Sequence, residues 1–77
     1  MKAYVLIKTR VGETVDVVRA LRKLPGVVSA DVTFGPYDAV AVVSADALDA
    51  IGDLVTGTIH STPGVIETLT CLVVDVA

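Results

Sequence analysis

A five-residue phrase occurs twice in this chain: Leu24-Pro25-Gly26-Val27-Val28 returns as Thr62-Pro63-Gly64-Val65-Ile66, 38 positions further on (25 to 63) in a sequence of 77 residues. The same offset lays the apolar run Ala3-Tyr4-Val5-Leu6-Ile7 over Ala41-Val42-Val43-Ser44-Ala45. Each run is followed by a helical pattern and then by the Pro-Gly punctuation, so each half reads as strand, helix, turn, strand. Two copies are too few to stack as a solenoid. They predict a pseudo-two-fold unit.

Joined end to end, the halves give β-α-β-β-α-β, the ferredoxin-like α+β arrangement. Right-handed crossovers then place both helices on one face of a four-stranded antiparallel sheet. The expected domain is single and spans 1–77. A chain this short buries only about 60% of the surface it exposes when unfolded, so its core alone is marginal. Small folds make up the difference with disulfides, a metal or self-association. Cys71 is the only cysteine and His60 the only histidine, which removes internal disulfides and the usual soft-ligand spacings. Self-association is the route left, and no cofactor is expected.

Hydrophobic residues make up 53% of the chain, yet no apolar run approaches the roughly 20 residues a membrane helix needs. The N-terminus, Met1-Lys2-Ala3-Tyr4, runs straight into a strand pattern without a signal-like segment. A cytoplasmic location is the expectation. Asn and Gln are both missing. Avoidance of labile amides at high temperature and a GC-rich genome are equally good reasons for that.

The strand patterns assign places in the sheet. Lys2 to Lys8 carries Ala3, Val5 and Ile7 on one face and Tyr4, Leu6 and Lys8 on the other; Asp38 to Ser44 likewise opposes Val40 and Val42 to Ala41 and Val43. Strands apolar on both faces belong at the centre. Val27 to Phe34 instead opposes Val28, Ala30, Val32 and Phe34 to Ser29, Asp31 and Thr33, an edge-strand pattern. Ile66 to Val76 is expected to be the longest strand, its end reaching toward another subunit. The first helix is expected over Thr14 to Lys23, packing through Val15, Val18 and Leu21, with Arg19, Arg22 and Lys23 at its cation-favouring end. The second starts near Asp46, presents Leu48, Ile51, Leu54 and Val55 to the sheet, and is weakened by Gly52 and Gly57. Helices on one face leave the outer residues of both central strands as an apolar patch, which a symmetric dimer would cover.

The stretch Phe34-Gly35-Pro36-Tyr37-Asp38-Ala39-Val40, preceded by Leu24-Pro25-Gly26-Val27-Val28-Ser29-Ala30, resembles the effector-binding (RAM) domain of the Lrp/AsnC transcriptional regulators. In that family a Leu-Pro-x-Val phrase enters the second strand and a Gly-x-Tyr/Phe-Asp hairpin leads into the third. The likeness extends through Pro63-Gly64-Val65 and the alternating Thr68 and Thr70. It implies homodimers that assemble further, commonly four dimers to an octameric ring, with a small amino-acid effector held between dimers near the hairpin. Gly35, Pro36, Tyr37 and Asp38 would then line the ligand cleft, with Thr68 and Thr70 contributing from the last strand. Carboxylate, loop amides and hydroxyls are what an ammonium and a carboxylate require as partners.

The chain departs from the family pattern twice. It begins at the first strand rather than at a DNA-reading helix-turn-helix, so the expected role is that of a stand-alone module able to join full-length regulators, without nucleic-acid binding of its own. Pro36 also removes one loop amide. The plainer roles are a turn-fixing side chain for Asp38, a subunit contact for Tyr37, a surface position for His60 and a small buried residue for Cys71. An ACT-like domain, with its ligand beside Arg10 to Glu13, and a small dimeric ferredoxin-like enzyme are the alternatives. Against catalysis stands the lack of paired titratable residues suited to acid/base work.

Overall fold

The computed structural model describes residues 1–76; Ala77, the last residue of the expected domain, lies outside the described residues. Strand β1 covers Lys2–Thr9, helix α1 Thr14–Leu21, β2 Val27–Val32, β3 Ala39–Ser44, helix α2 Leu48–Asp53 with a π-helical continuation Leu54–Ile59, and β4 Val65–Leu72. The sheet order is β2-β3-β1-β4, antiparallel throughout. This is the ferredoxin-like α+β layout that the repeat predicts.

The repeat has a physical counterpart in its two turns. In each, a backbone N–H closes on the residue three back: Val27 to Leu24 O at 3.2 Å, and Val65 to Thr62 O at 3.1 Å. Proline stands second and a left-handed glycine third, Gly26 at φ +90° and Gly64 at φ +95°, as this kind of turn requires. The halves then interlock crosswise. A β-carbon on Gly26 would lie 2.9 Å from Leu54 Cδ2 of the second helical segment, and one on Gly64 would lie 2.7 Å from Val17 Cγ2 of α1. Both glycine carbonyls accept a strand-end amide from the other half at 2.9 Å, Gly26 from Ser44 and Gly64 from Arg10.

The core lies between sheet and helices. Ala3, Val5 and Ile7 of β1 and Ala39, Ala41 and Val43 of β3 meet Val17, Val18 and Leu21 of α1 and Ile51, Val55 and Ile59 behind α2. The alanines keep the sheet surface flat, so the helices sit close and their branched residues supply the volume. On α1 the buried set is 17, 18 and 21 rather than one built on Val15, which is 51% exposed. Thr14, Val17, Val18 and Leu21 follow the i, i+3, i+4, i+7 stripe, and Val15 lies about 100° off it. The helix ends at Leu21, two residues before Lys23.

The second helix departs further from expectation. It begins at Leu48, which is 57% exposed rather than packed on the sheet, and it loses α geometry after Asp53. Its buried residues recur every four positions, Ile51, Val55 and Ile59, whereas an α-helix turns every 3.6. That i, i+4, i+8 spacing keeps all three on one helical face, and past Asp53 the helix widens to π geometry, the His60 amide bonding back to Val55 O at 2.9 Å.

Both outer strands differ as well. Of the apolar set Val28, Ala30, Val32 and Phe34, only Ala30 is buried. An irregularity between Val27 and Ser29 interrupts the alternation, and β2 ends at Val32, leaving Phe34 wholly exposed in the hairpin. Strand β4 is eight residues long, no longer than β1, because β1 offers no partner beyond Lys2; the last bond of the ladder runs from Val73 N to Lys2 O at 2.9 Å. Residues 73–76 continue outside the sheet ladder.

Candidate functional site

Register assigns each β4 residue to a face. Thr68, Thr70 and Leu72 stand opposite Ile7, Val5 and Ala3, the β1 residues buried toward the helices, so the two threonines lie on the helix side of an outer strand. Glu67, Leu69 and Cys71 stand opposite Lys8, Leu6 and Tyr4 on the other side. There Leu6 and Tyr4 also face Val40 and Val42 of β3. The helix-free face is thus an apolar field of Tyr4, Leu6, Val40, Val42, Leu69 and Cys71 with charges at its ends. Lys2 Nζ lies 5.4 Å from the Tyr4 ring centroid, and Lys8 Nζ 5.7 Å from that of Tyr37. Cys71 is exposed, not a small buried residue: its place opposite Tyr4 puts it on the face no helix covers.

The β2–β3 hairpin rises at the Thr9 end of β1. Gly35 and Pro36 are exposed at its tip, while Tyr37 and Asp38 are half-buried at its base. Two cross-hairpin bonds close it: Thr33 N to Asp38 O at 2.9 Å, and Thr33 Oγ1 to Tyr37 O at 2.7 Å. Asp38 N donates to Ile7 O at 2.9 Å, and its carboxylate Oδ2 accepts from Thr9 N at 2.8 Å. The turn-fixing role of Asp38 is therefore present, executed on β1 rather than within the hairpin.

Ile7 joins the two groups of site residues. Asp38 bonds to its carbonyl on one side and Thr68 stands opposite it on the other. With β1 between them, the hairpin base and Thr68 are separated by two strand spacings, roughly 10 Å. Thr70 lies one pair further from the hairpin along the same face. Within the chain Asp38 and the threonines form two margins on either side of β1, not a closed pocket. An open groove of about 400 Å³ lies elsewhere, at the Lys2 end of the sheet, lined by Met1, Lys2, Ser44, Val73 and Asp75.

Thr9 is the polar residue that motif reading passed over. It continues the buried series Ala3, Val5, Ile7 and is itself buried, and its hydroxyl lies 2.6 Å from Thr14 Oγ1 and 3.4 Å from Asp38 Oδ2. A polar side chain on a buried face must find hydrogen-bond partners. That requirement was the available signal. Among the described residues no group of three or more His, Cys, Asp or Glu side chains is arranged to hold a metal, and no helix is long and apolar enough to cross a membrane.

These features define a ferredoxin-like α+β domain with a bare apolar sheet face and an ordered hairpin beside it. Residues 2–77 match the Lrp/AsnC ligand binding domain family, and the chain belongs to that family. The crystal structure of TTHA0845 from Thermus thermophilus is 34% identical with a TM-score of 0.91, covering 99% of this chain and 95% of that one. AsnC of E. coli is similar at 20% identity and a TM-score of 0.89 over 96% of this chain and 50% of its own. The transcriptional regulator NMB0573 from Neisseria meningitidis, solved as an L-Met complex, is similar at 21% identity and a TM-score of 0.85 over 96% of this chain and 49% of its own. The chain thus spans about half the length of those two proteins, and they share its fold. No curated protein matches the chain.

Proposed function

We propose that residues 1–77 act as one amino-acid-sensing, self-associating unit of the Lrp/AsnC regulator type. The observation that carries this reading is the helix-free face of Tyr4, Leu6, Val40, Val42, Leu69 and Cys71, which is apolar at its centre and needs a mate. A second copy laid on it about a two-fold axis hides both patches at once. Further association of dimers, up to an octamer, then brings hairpins and outer strands of different subunits together. Gly35, Pro36, Tyr37, Asp38, Thr68 and Thr70 line the resulting cleft, which explains why one protomer offers its margins without closing a pocket.

The ligand is a small amino acid. Asp38 keeps a carboxylate oxygen, Oδ1, beyond the one given to Thr9, and an ammonium group is its natural partner; loop amides and the threonine hydroxyls suit a carboxylate. The L-Met complex of the Neisseria regulator, a protein of the same fold, supports that ligand class. The unit is non-catalytic, works in the cytoplasm, and modulates full-length regulators by co-assembly. Light scattering with and without amino acids, together with thermal-shift screening against each of the twenty, tests the reading. A dimer or larger mass is expected, with stabilisation by one or a few amino acids of about 2.7 kcal/mol at a hundredfold excess over Kd. A monomer at micromolar concentration would overturn the assembly, and no shift with any amino acid would overturn the sensing role. Ligand contacts at Arg10 to Glu13 would favour the ACT-like alternative.

A further inference from the structure

Between the hairpin and α1 runs a short chain of polar contacts. Asp38 Oδ2 accepts from Thr9 N at 2.8 Å and lies 3.4 Å from Thr9 Oγ1, which lies 2.6 Å from Thr14 Oγ1. One arrangement of protons satisfies all three contacts: Thr14 donates its hydroxyl to Thr9, and Thr9 donates both its amide and its hydroxyl to Asp38. Thr9 is 7% exposed, the sole buried polar side chain among the described residues, and no buried side-chain polar atom among them lacks a partner. Thr14 is the first residue of α1, whose N-cap, Glu13, makes no side-chain capping bond.

From this geometry we propose that Thr9 is the positioning residue of the β2–β3 hairpin, and that through Thr14 it couples the hairpin to the first turn of α1. The Asp38 carboxylate then divides its work: Oδ2 is committed to Thr9 and fixes the hairpin base, while Oδ1 takes no hydrogen bond from the described residues. A group pulling on Asp38 from the cleft shifts the Thr9 hydroxyl and with it the Thr14 contact. The hairpin base and the first turn of α1 respond together although no hydrogen bond among the described residues joins them directly. The functional meaning of this coupling rests on the hairpin being the effector site, but its test does not.

The test is native-state amide hydrogen exchange, followed by NMR on the whole chain without added amino acid, in the wild type and in Thr9→Val, Thr9→Ser and Thr14→Val. Thr14 makes no hydrogen bond to a hairpin residue among the described residues, so a local packing role for it would leave the hairpin amides alone. The expected result is that Thr14→Val and Thr9→Val each speed exchange at Thr33 and Asp38 by about three- to tenfold, the factor for one buried hydrogen bond. Amides of Val5 and Ala41 at the sheet centre keep their wild-type rates, and Thr9→Ser, which restores the hydroxyl, returns the hairpin to wild-type exchange. Unchanged Thr33 and Asp38 rates in Thr14→Val, equal acceleration at Val5 and Ala41, or no rescue by Thr9→Ser would overturn the coupling. Titration of the wild type and Thr14→Val with each of the twenty amino acids separates the two ideas. Binding to the wild type that weakens in Thr14→Val connects the coupling to the ligand. Binding equal in both breaks that connection. Binding by neither overturns the sensing role, while the exchange rates still decide the coupling.

Discussion

Thr9 and Asp38 are joined by a backbone-to-carboxylate hydrogen bond of 2.8 Å, so the last residue of β1 and the residue preceding β3 hold the two central strands in register where the ladder ends. Regular pairing stops at Ile7 opposite Ala39. Beyond it the side chain of Asp38 takes over a task that backbone groups perform along the rest of the strand.

The glycine turns predict a graded series. Gly12 has φ +82° with open space around it, so Gly12→Ala costs only the left-handed strain, about 1–2 kcal/mol. Gly26→Ala adds a contact with the flexible end of Leu54 that can swing aside. Gly64→Ala drives a methyl to within 2.7 Å of a β-branched, buried Val17 and is the most damaging of the three, at about 2–5 kcal/mol when overpacking is added. Urea denaturation should give that order.

Core truncation measures how much the helix layer contributes. Leu21 is fully buried between α1 and the sheet, and Leu21→Ala should cost about 2–5 kcal/mol by equilibrium unfolding. Val15→Ala, on the exposed side of the same helix, should change stability by less than about 0.5 kcal/mol.

Arg22 separates a useful bond from an ornamental one. Its Nε donates to Ala30 O at 2.8 Å, while its contact with Asp31 is a 3.4 Å pair between exposed side chains. Asp31→Ala should be almost silent, within about 0.5 kcal/mol. Arg22→Ala should cost about 1–2 kcal/mol, because it loses the carbonyl bond and uncovers the edge of β2. Thermal unfolding of the two variants at low and high salt distinguishes the contributions, with only the ion pair responding to salt.

Leu6 and Leu69 are opposite one another at the middle of the bare face. Leu6→Glu and Leu69→Lys should each lower the solution mass toward that of one chain while circular dichroism keeps its native form. An unchanged mass in both would move the interface off this face.

Thr68 and Thr70 sit on β4 without a side-chain hydrogen bond to the rest of the described chain. Thr68→Val and Thr70→Val should therefore leave the melting temperature almost unchanged, since valine suits a strand as well as threonine does. If they line the effector cleft, calorimetry should show amino-acid affinity falling by about three- to tenfold per hydroxyl removed.

The repeat, the Pro-Gly turns, the central strands and the one-sided helix layer were all legible in the sequence, because each depends on local rules: which residues turn the chain and which alternate. The hairpin motif carried the family by the same means. The exposure of Cys71, Val15, Leu48 and Phe34 was not legible there, because burial depends on what packs opposite and periodicity says only which residues share a side. The four-residue spacing of Ile51, Val55 and Ile59 was legible as one helical face, but nothing in it distinguishes an α from a π turn, because i and i+4 share a face in both.

By itself, then, the sequence determined a twofold-repeated ferredoxin-like chain with one side of its sheet left bare, since turn chemistry and alternation are properties of neighbours along the chain. Only the tertiary structure decided that Asp38 spends one oxygen on Thr9, that Thr9 passes the contact to Thr14, and that the hairpin and the threonines stand on opposite sides of β1. The Thr9–Asp38 bond joins residues 29 positions apart, and it exists only after the core has drawn the strands together.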